Sequence, residues 1–386
     1  MKAALSLVTL LSLSPAALAA SFNLVKAYQG TDFFSGWEFY GTFDNTTNGD
    51  VNFVPQSNSS SLAYVDGNGR AIIRVDNTSF VPYNEKRNSV KITSTDAYEP
   101  GTIWVFDATH LPYGCSVWPA FWTKGLDWPR QGEIDIVEGV NKQTANQMAL
   151  HTFNGCNAQQ GAQMKGTLGN TNCNSTDGAG CTVGETTPNS YGEGFANAGG
   201  GVWATQFDTS GIFIWFWNRA NVPSDISSGG NSVDPSGWGT PSAAYPSSAC
   251  DINQFFGAQQ LVLDITLCGD WAGVPSIYQP QCGGDGSAQG CYVNSVINDG
   301  STNFAQAYFE INYIKAFGAN SSVIASGAGS SGASATNSAG GSSPTSGSGS
   351  GSGSGNSDSS DANSMRNAAW GVVGASLLAL LAVVSL

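Results

Sequence analysis

Charge is the scarcest property of this sequence. Asp, Glu, Lys and Arg make up 11% of its 386 residues, less than half the ~25% usual in soluble domains. What charge there is leans negative, with 28 acids against 14 bases and a net charge of −14. So acidic a chain repels phosphate backbones and anionic lipid surfaces, which excludes nucleic acid as a partner. Histidine occurs twice and Cys-x-x-Cys never, so no metal site is expected. No Gly-x-Gly-x-x-Gly follows a strand pattern and no Walker loop is present, so no nucleotide cofactor is expected either. Long helical periodicity is also missing from the body, as is any alternation of strand and helix patterns. A parallel α/β fold is thereby disfavoured.

Short runs of strand character fill the space instead. They include Ala71–Asp76, Ser89–Thr93, Thr102–Asp107, Gly132–Val140, Gln147–Phe153, Gly211–Asn218, Gln260–Leu267 and Ala307–Phe317. In the last, Phe309, Ile311 and Tyr313 alternate with Glu310 and Asn312, the period of a sheet with one buried face. Many short strands between Gly- and Asn-rich turns predict an all-β fold, a two-sheet antiparallel sandwich. A sandwich of this length needs long loops, and Gly155–Gly201 and Val222–Cys250 read as such, with little core of their own.

Both ends read as processing and targeting segments. Met1–Ala20 has Lys2, an apolar Leu5–Leu13 and a small-x-small Ala17-Leu18-Ala19, the pattern of a secretory signal. Its apolar run is too short to span a bilayer. Residues 21–320 form the folded body. Residues 321–363 are mostly Ser and Gly and are expected to be a disordered stalk. Residues 364–386 carry Arg366 and the apolar Ala368–Leu386. Small residues, a polar spacer and an apolar tail make up a signal for a glycosylphosphatidylinositol (GPI) anchor. A single transmembrane helix is the alternative, but no basic cytoplasmic stop accompanies it. Asn356, Ser357, Asp361 and Asn363 all fit as the attachment residue. The expected location is the cell surface, at the plasma membrane or cell wall.

The secretory reading suits eight cysteines, an even number with no free thiol expected. Cys173–Cys181 and Cys282–Cys291 are close enough in sequence to close small loops. Five Asn-x-Ser/Thr sites occur, at Asn45, Asn58, Asn77, Asn174 and Asn320.

Against this sparse background, Glu133-Ile134-Asp135-Ile136-Val137-Glu138 places three acids within six residues of an apolar strand. Glu133 and Asp135 share a face of a pleated strand, while Glu138 points the other way. One β-bulge between Asp135 and Glu138 restores it to the same face. The two glutamates are then about 13 Å apart along the strand, at roughly 3.3 Å per residue. Leaning side chains close that to about 5–6 Å, near the ~5–5.5 Å that retaining glycoside hydrolysis requires. Two neighbouring carboxyls resist ionising together, which leaves one as nucleophile and one as acid. The competing readings are a solvated acidic edge strand and a calcium site.

Trp104, Trp118, Trp122 and Trp128 precede the cluster. Indole faces stack on the C–H faces of sugars, although each Trp alone also fits a core. Trp128 is the favoured cleft residue. His151, in the next strand-like run, would lie beside the acids in an antiparallel pairing.

The acidic motif after Trp128-Pro129-Arg130-Gln131-Gly132, with Cys115–Trp122 (CSVWPAFW) upstream and Leu150-His151-Thr152 downstream, resembles glycoside hydrolase family 16. The nearest group is the fungal endo-1,3(4)-β-glucanases. Phe33–Trp37, Gly211–Arg219 with Pro223–Ile226, and Leu267–Gly273 resemble further blocks of that group, so the likeness spans about Phe22–Gly318. It implies a concanavalin A-like jelly roll with a concave cleft. It also implies Glu133 as nucleophile, Glu138 as acid/base and Asp135 as assisting acid. Trp122, Trp128, His151 and Trp271 are the expected substrate contacts. The implied partner is a β-glucan polysaccharide, acted on by a monomer. Two alternatives stand beside hydrolysis: a wall transglycosylase, and a non-catalytic glucan-binding wall protein. The latter has no need for both Glu133 and Glu138.

Overall fold

The computed structural model describes residues 21–320 and 323–325. The expected signal at 1–20, the attachment signal at 364–386 and nearly all of the stalk lie outside the described residues.

Within the body, the period-two runs assemble into two large antiparallel sheets. The front sheet orders its strands as Thr167–Leu168, Cys181–Gly184, Gln147–His151, Glu133–Glu138, Val117–Gly125, Gln259–Leu267, Lys91–Tyr98 and Trp37–Phe39. The back sheet runs Ser232–Val233, Phe22–Gln29, Tyr308–Gly318, Thr102–His110, Gly201–Asp208, Gly211–Asn218 and Ala243–Pro246, with Ala71–Arg74 and Ala63–Val65 added beside Tyr308–Gly318. Neighbouring strands in both sheets are antiparallel, the expected sandwich.

Alternation sorts the side chains. On Thr102–His110, Trp104, Phe106 and Ala108 enter the core between the sheets. Ile103 and Val105 face the outer side of the back sheet. Phe106 stacks on Phe121 of the front sheet with ring centroids 4.4 Å apart, which joins the two layers. On Val117–Gly125, Val117 and Phe121 point inward. Trp118 and Trp122 therefore point to the open front face.

Trp104 does not border the acids; it is buried in the core and stacks on Phe207. Alternation along the last strand is interrupted. Phe309 and Ile311 enter the main core, but irregular pairing with Thr102–His110 between Glu310 and Tyr313 shifts the parity. Ile314 and Ala316 then point inward, while Tyr313 packs on the outer layer.

The stretch 155–201 is not merely a loop. It supplies two short front-sheet strands and the helix Gly192–Asn197. The stretch 222–250 has a core as well, since Ile226, Val233 and Trp238 close over Trp215 and Trp217 on the outer face of the back sheet. Gly- and Asn-rich composition hides such short elements because each contributes only two to four strand residues.

All eight cysteines are paired. The bonds are Cys115–Cys282, Cys156–Cys250, Cys173–Cys181 and Cys268–Cys291. Cys173–Cys181 matches the expectation from sequence proximity and Cys282–Cys291 does not. Cys282 ends the helix Pro275–Cys282 beside Cys115, with Cα atoms 5.6 Å apart. Cys291 instead meets Cys268 at the end of strand Gln259–Leu267. Nearness along the chain favours closure in the unfolded state, but the fold decides which Cα atoms reach bonding distance.

Candidate active site

The acidic strand enters from Gly132, whose φ of +73° suits glycine and whose Cα approaches Phe256 closely. A Cβ there would lie 2.3 Å from that ring. Glu133–Glu138 then pairs with Val117–Gly125 on one side and Gln147–His151 on the other. Phe121 and Trp122 are consecutive, yet their partners are Val137 and Asp135, so Ile136 is skipped. On the other side, Asp135 faces Ala149 and Glu138 faces Gln147, three steps against two. This is the single inserted residue expected from the spacing. Ile136 and Val137 are both buried in the inter-sheet core. Glu133, Asp135 and Glu138 consequently share the open face.

Register supplies their neighbours. Glu133 lies between His151 and Lys124, Asp135 between Ala149 and Trp122, and Glu138 between Gln147 and Ala120. Each glutamate is also held by an indole. Trp128 donates Nε1–H to Oε2 of Glu133 at 2.6 Å. Trp118 donates Nε1–H to Oε1 of Glu138 at 2.8 Å. His151 Nε2 lies 3.3 Å from Oδ2 of Asp135 and 3.8 Å from Oε1 of Glu133. Oδ2 of Asp135 is buried and makes no aligned hydrogen bond, so the imidazole is its nearest compensation.

The electrostatics follow from this crowding. Burial and then Asp135 push Glu133 up to about 8, against the pull of His151 and the Trp128 bond. Burial and then Asp135 also hold Glu138 well above the usual carboxyl range, against the Trp118 bond. Burial alone would lower His151, but the contact with Asp135 and the three carboxyl charges outweigh it and raise the ring to about 10. At neutral pH His151 is therefore an imidazolium lodged among carboxyl groups. Such a set can keep one carboxyl protonated beside one that ionises. Glu133, Asp135 and His151 also bring ligand atoms within 4.8 Å of one another, close enough for a cation. A protonated imidazole competes with any metal for that place.

The remaining predicted contacts divide. Trp128 is half exposed and reaches the cluster through Glu133. Trp122 stands beside Asp135 but donates its indole N–H away, to Oδ1 of Asp264 at 2.6 Å. The Lys91 ammonium sits over the Trp122 ring, 5.2 Å from its centroid. Trp271 is linked to the acids through Trp118, against which it packs with centroids 5.6 Å apart and ring planes at 89°.

Sequence reasoning named Trp118 among the nearby indoles without giving it a role, and left Asn146, Lys91 and Asp264 out of the site. Trp118 lies on the favourable parity of CSVWPAFW, a usable signal. Asp264 and Lys91 are isolated charges inside apolar strands, another signal. Asp264 is pushed up to about 6 by burial, with Lys91 and the Trp122 bond opposing.

Comparison with known proteins supplies the family. A family model described as "XgeA-like, catalytic GH16 domain" matches residues 37–317. A probable glycosidase of Schizosaccharomyces pombe is 41% identical over 305 residues, 77% of this chain and 69% of that protein. A probable endo-1,3(4)-β-glucanase of Aspergillus niger is 39% identical over 310 residues, 78% of this chain but 40% of that protein. The chain thus spans less than half of the Aspergillus relative. Among solved structures, laminarinase 16A of Phanerochaete chrysosporium, seen with 6-O-glucosyl-laminaritriose in donor and acceptor sites, is 38% identical with a TM-score of 0.71, covering 77% of this chain and 99% of that one. An elongating family 16 β-1,3-glucosyltransferase is 37% identical with a TM-score of 0.69, covering 77% and 99%. The two-sheet fold and the extent of these matches lead to one conclusion: the chain belongs to glycoside hydrolase family 16.

Proposed function

We propose that this chain is an endo-acting retaining β-glucanase that cleaves internal β-1,3 or mixed β-1,3/1,4 linkages by double displacement. The observation that carries the reading is the bulge at Ile136, which brings Glu133 and Glu138 to one face with an indole N–H on each. Glu133 attacks the anomeric carbon and forms a glycosyl-enzyme. Glu138 gives its proton to the leaving oxygen, then takes one from the water that releases the sugar. An indole nitrogen only donates, so the Glu138 oxygen it holds is the unprotonated one and the proton sits on Oε2. On top of burial, Asp135, beside Glu133 and 3.3 Å from His151, raises the Glu133 carboxyl while the His151 charge draws it back down, so the pair sets how readily the nucleophile ionises. Trp122, Trp128, His151 and Trp271 are proposed as substrate contacts around this centre.

The names of the A. niger relative and the P. chrysosporium laminarinase support glucan as substrate. The test is release of reducing ends from laminarin, lichenan and barley glucan, with the first anomer read by proton NMR. Internal cleavage giving the β-anomer first is expected. No new reducing ends on any of the three would contradict the reading and leave glucan binding alone.

Transfer is the second reading, favoured by the likeness to an elongating glucosyltransferase. Both reactions share the glycosyl-enzyme, and the partition between water and sugar as acceptor separates them. Products longer than the starting oligosaccharide identify transfer.

The proposal extends to location. The secretory leader, Ser/Gly stalk, GPI signal and Asn-x-Ser/Thr sites in the sequence support a surface-anchored, N-glycosylated enzyme acting at the cell wall. Asn45 and Asn58 are exposed, as a glycan requires. Phosphatidylinositol-specific phospholipase C should release the mature protein from membranes. Release by detergent alone, with Leu386 retained, contradicts the anchor.

A further inference from the structure

The bulge that aligns the two glutamates is fastened by a single side chain. An inserted residue leaves nearby ladder groups without their regular strand partners. Here the Ile136 carbonyl and the Glu138 N–H both turn to Asn146. Asn146 donates from Nδ2 to the Ile136 carbonyl at 2.8 Å and accepts the Glu138 N–H at Oδ1 at 2.9 Å. The residue is 1% exposed. Its own backbone is tied down too. Its N–H donates to Oγ of Ser190 at 3.0 Å, and its carbonyl accepts from the Glu185 N–H at 2.9 Å. The amide is thus held from outside the acidic strand, by the segment leading into helix Gly192–Asn197.

Position along the strand makes the effect one-sided. Glu133, Ile134 and Asp135 pair regularly with His151, Leu150 and Ala149, before the bulge. Glu138 lies after it. Loss of the inserted residue's parity would turn Glu138 toward the core face while leaving Glu133 in place.

We propose that Asn146 is a positioning residue for Glu138: its side-chain amide locks the bulge and so sets the reach of the acid/base toward the glycosidic oxygen. This rests on the assignment of Glu138 made above. Asn146 touches neither glutamate carboxyl group; it acts through the backbone of Ile136 and Glu138.

The test compares kcat/KM on two substrates, laminarin and 2,4-dinitrophenyl β-laminaribioside. The first needs a proton on its leaving oxygen. The second does not, and kcat/KM reports glycosylation alone. Misplacement by about 1 Å costs roughly 100-fold, so Asn146→Ala should lose about that much on laminarin and less than about 5-fold on the aryl substrate. A general loss of structure lowers both by one factor. Glu138→Ala is the control. If it splits the two substrates and Asn146→Ala does not, by losing both equally or neither, the positioning role is overturned and the acid/base assignment stands. If Glu138→Ala shows no split, that assignment fails and the inference fails with it.

Asn146→Asp decides the matter should the alanine variant not fold. Its side chain accepts the Glu138 N–H in either protonation state, but donates to the Ile136 carbonyl only when protonated. Its laminarin activity should approach wild type at low pH and fall as the new carboxyl ionises, with the aryl substrate following wild type throughout. A laminarin-to-aryl ratio equal to wild type at every pH overturns the proposal.

Discussion

Trp118 donates its indole N–H to Oε1 of Glu138 at 2.8 Å, and Trp271 packs against the Trp118 ring. Trp118→Phe keeps the apolar ring and removes the donor. This bond is the main influence lowering the Glu138 pKa, so its loss raises that pKa further. The alkaline limb of kcat/KM on laminarin, where Glu138 loses its proton, should move to higher pH. Maximal turnover should fall about 10-fold, the usual scale for one hydrogen bond to a charged or reacting group. A limb that moves to lower pH contradicts the assignment of Glu138 as acid.

Asp135 acts on both glutamates with the same sign. After burial it is the largest influence raising each of them. Asp135→Asn should therefore shift both limbs of the kcat/KM profile to lower pH, since Glu133 then ionises more readily and Glu138 gives up its proton sooner. Limbs that stay in place, with only the height changed, would confine Asp135 to a steric role.

His151 acts with the opposite sign. Its charge lowers both glutamates, and with its pKa near 10 it keeps that charge through neutral pH. His151→Ala should move the acid limb upward, because Glu133 then holds its proton to higher pH. Titration of the ring by NMR should show the imidazolium persisting above pH 8, well beyond the unperturbed ~6.5. A His151 pKa near 6.5 would remove it from the cluster's charge balance.

The disulfides rank by the loop each closes. Cys115–Cys282 spans 167 residues and Cys173–Cys181 spans 8. On the chain-entropy account, the double replacement Cys115→Ala/Cys282→Ala should cost ~2–3 kcal/mol more than Cys173→Ala/Cys181→Ala, read from urea midpoints. An equal or larger loss from the shorter loop contradicts that ordering.

Much of the site was legible because charge is rare. Three acids in an apolar strand are conspicuous, and the odd spacing between Asp135 and Glu138 demands a bulge if both serve one face. Trp128 and His151 followed from proximity along the chain and from antiparallel pairing. The partner of Trp118 was not legible, because contact with Glu138 depends on the register of two strands whose residues lie 20 positions apart. Asn146 reads in sequence as an ordinary turn residue, and its role exists only once the bulge has displaced the Ile136 carbonyl and the Glu138 N–H. The same blindness explains Tyr313. A shift in pairing within the last strand changes which face it takes, and no charged residue marks the change. The Cys282–Cys291 expectation failed for a related reason, since pairing follows three-dimensional reach rather than distance along the chain.

The central claim is the division of labour between Glu133 and Glu138, and azide trapping tests it most directly. Each glutamate is replaced by alanine and given an activated aryl β-glucoside with sodium azide. In Glu138→Ala the glycosyl-enzyme still forms, and azide attacks it from the face that water would use. The product is a β-glycosyl azide, with configuration retained. In Glu133→Ala no glycosyl-enzyme forms, and azide enters the vacated nucleophile position to give the α product. Proton NMR coupling at the anomeric carbon distinguishes the two. A β-azide from Glu138→Ala and an α-azide from Glu133→Ala is the predicted result. The reverse pattern would exchange the two roles, and wild-type activity in either variant would remove the cluster from catalysis.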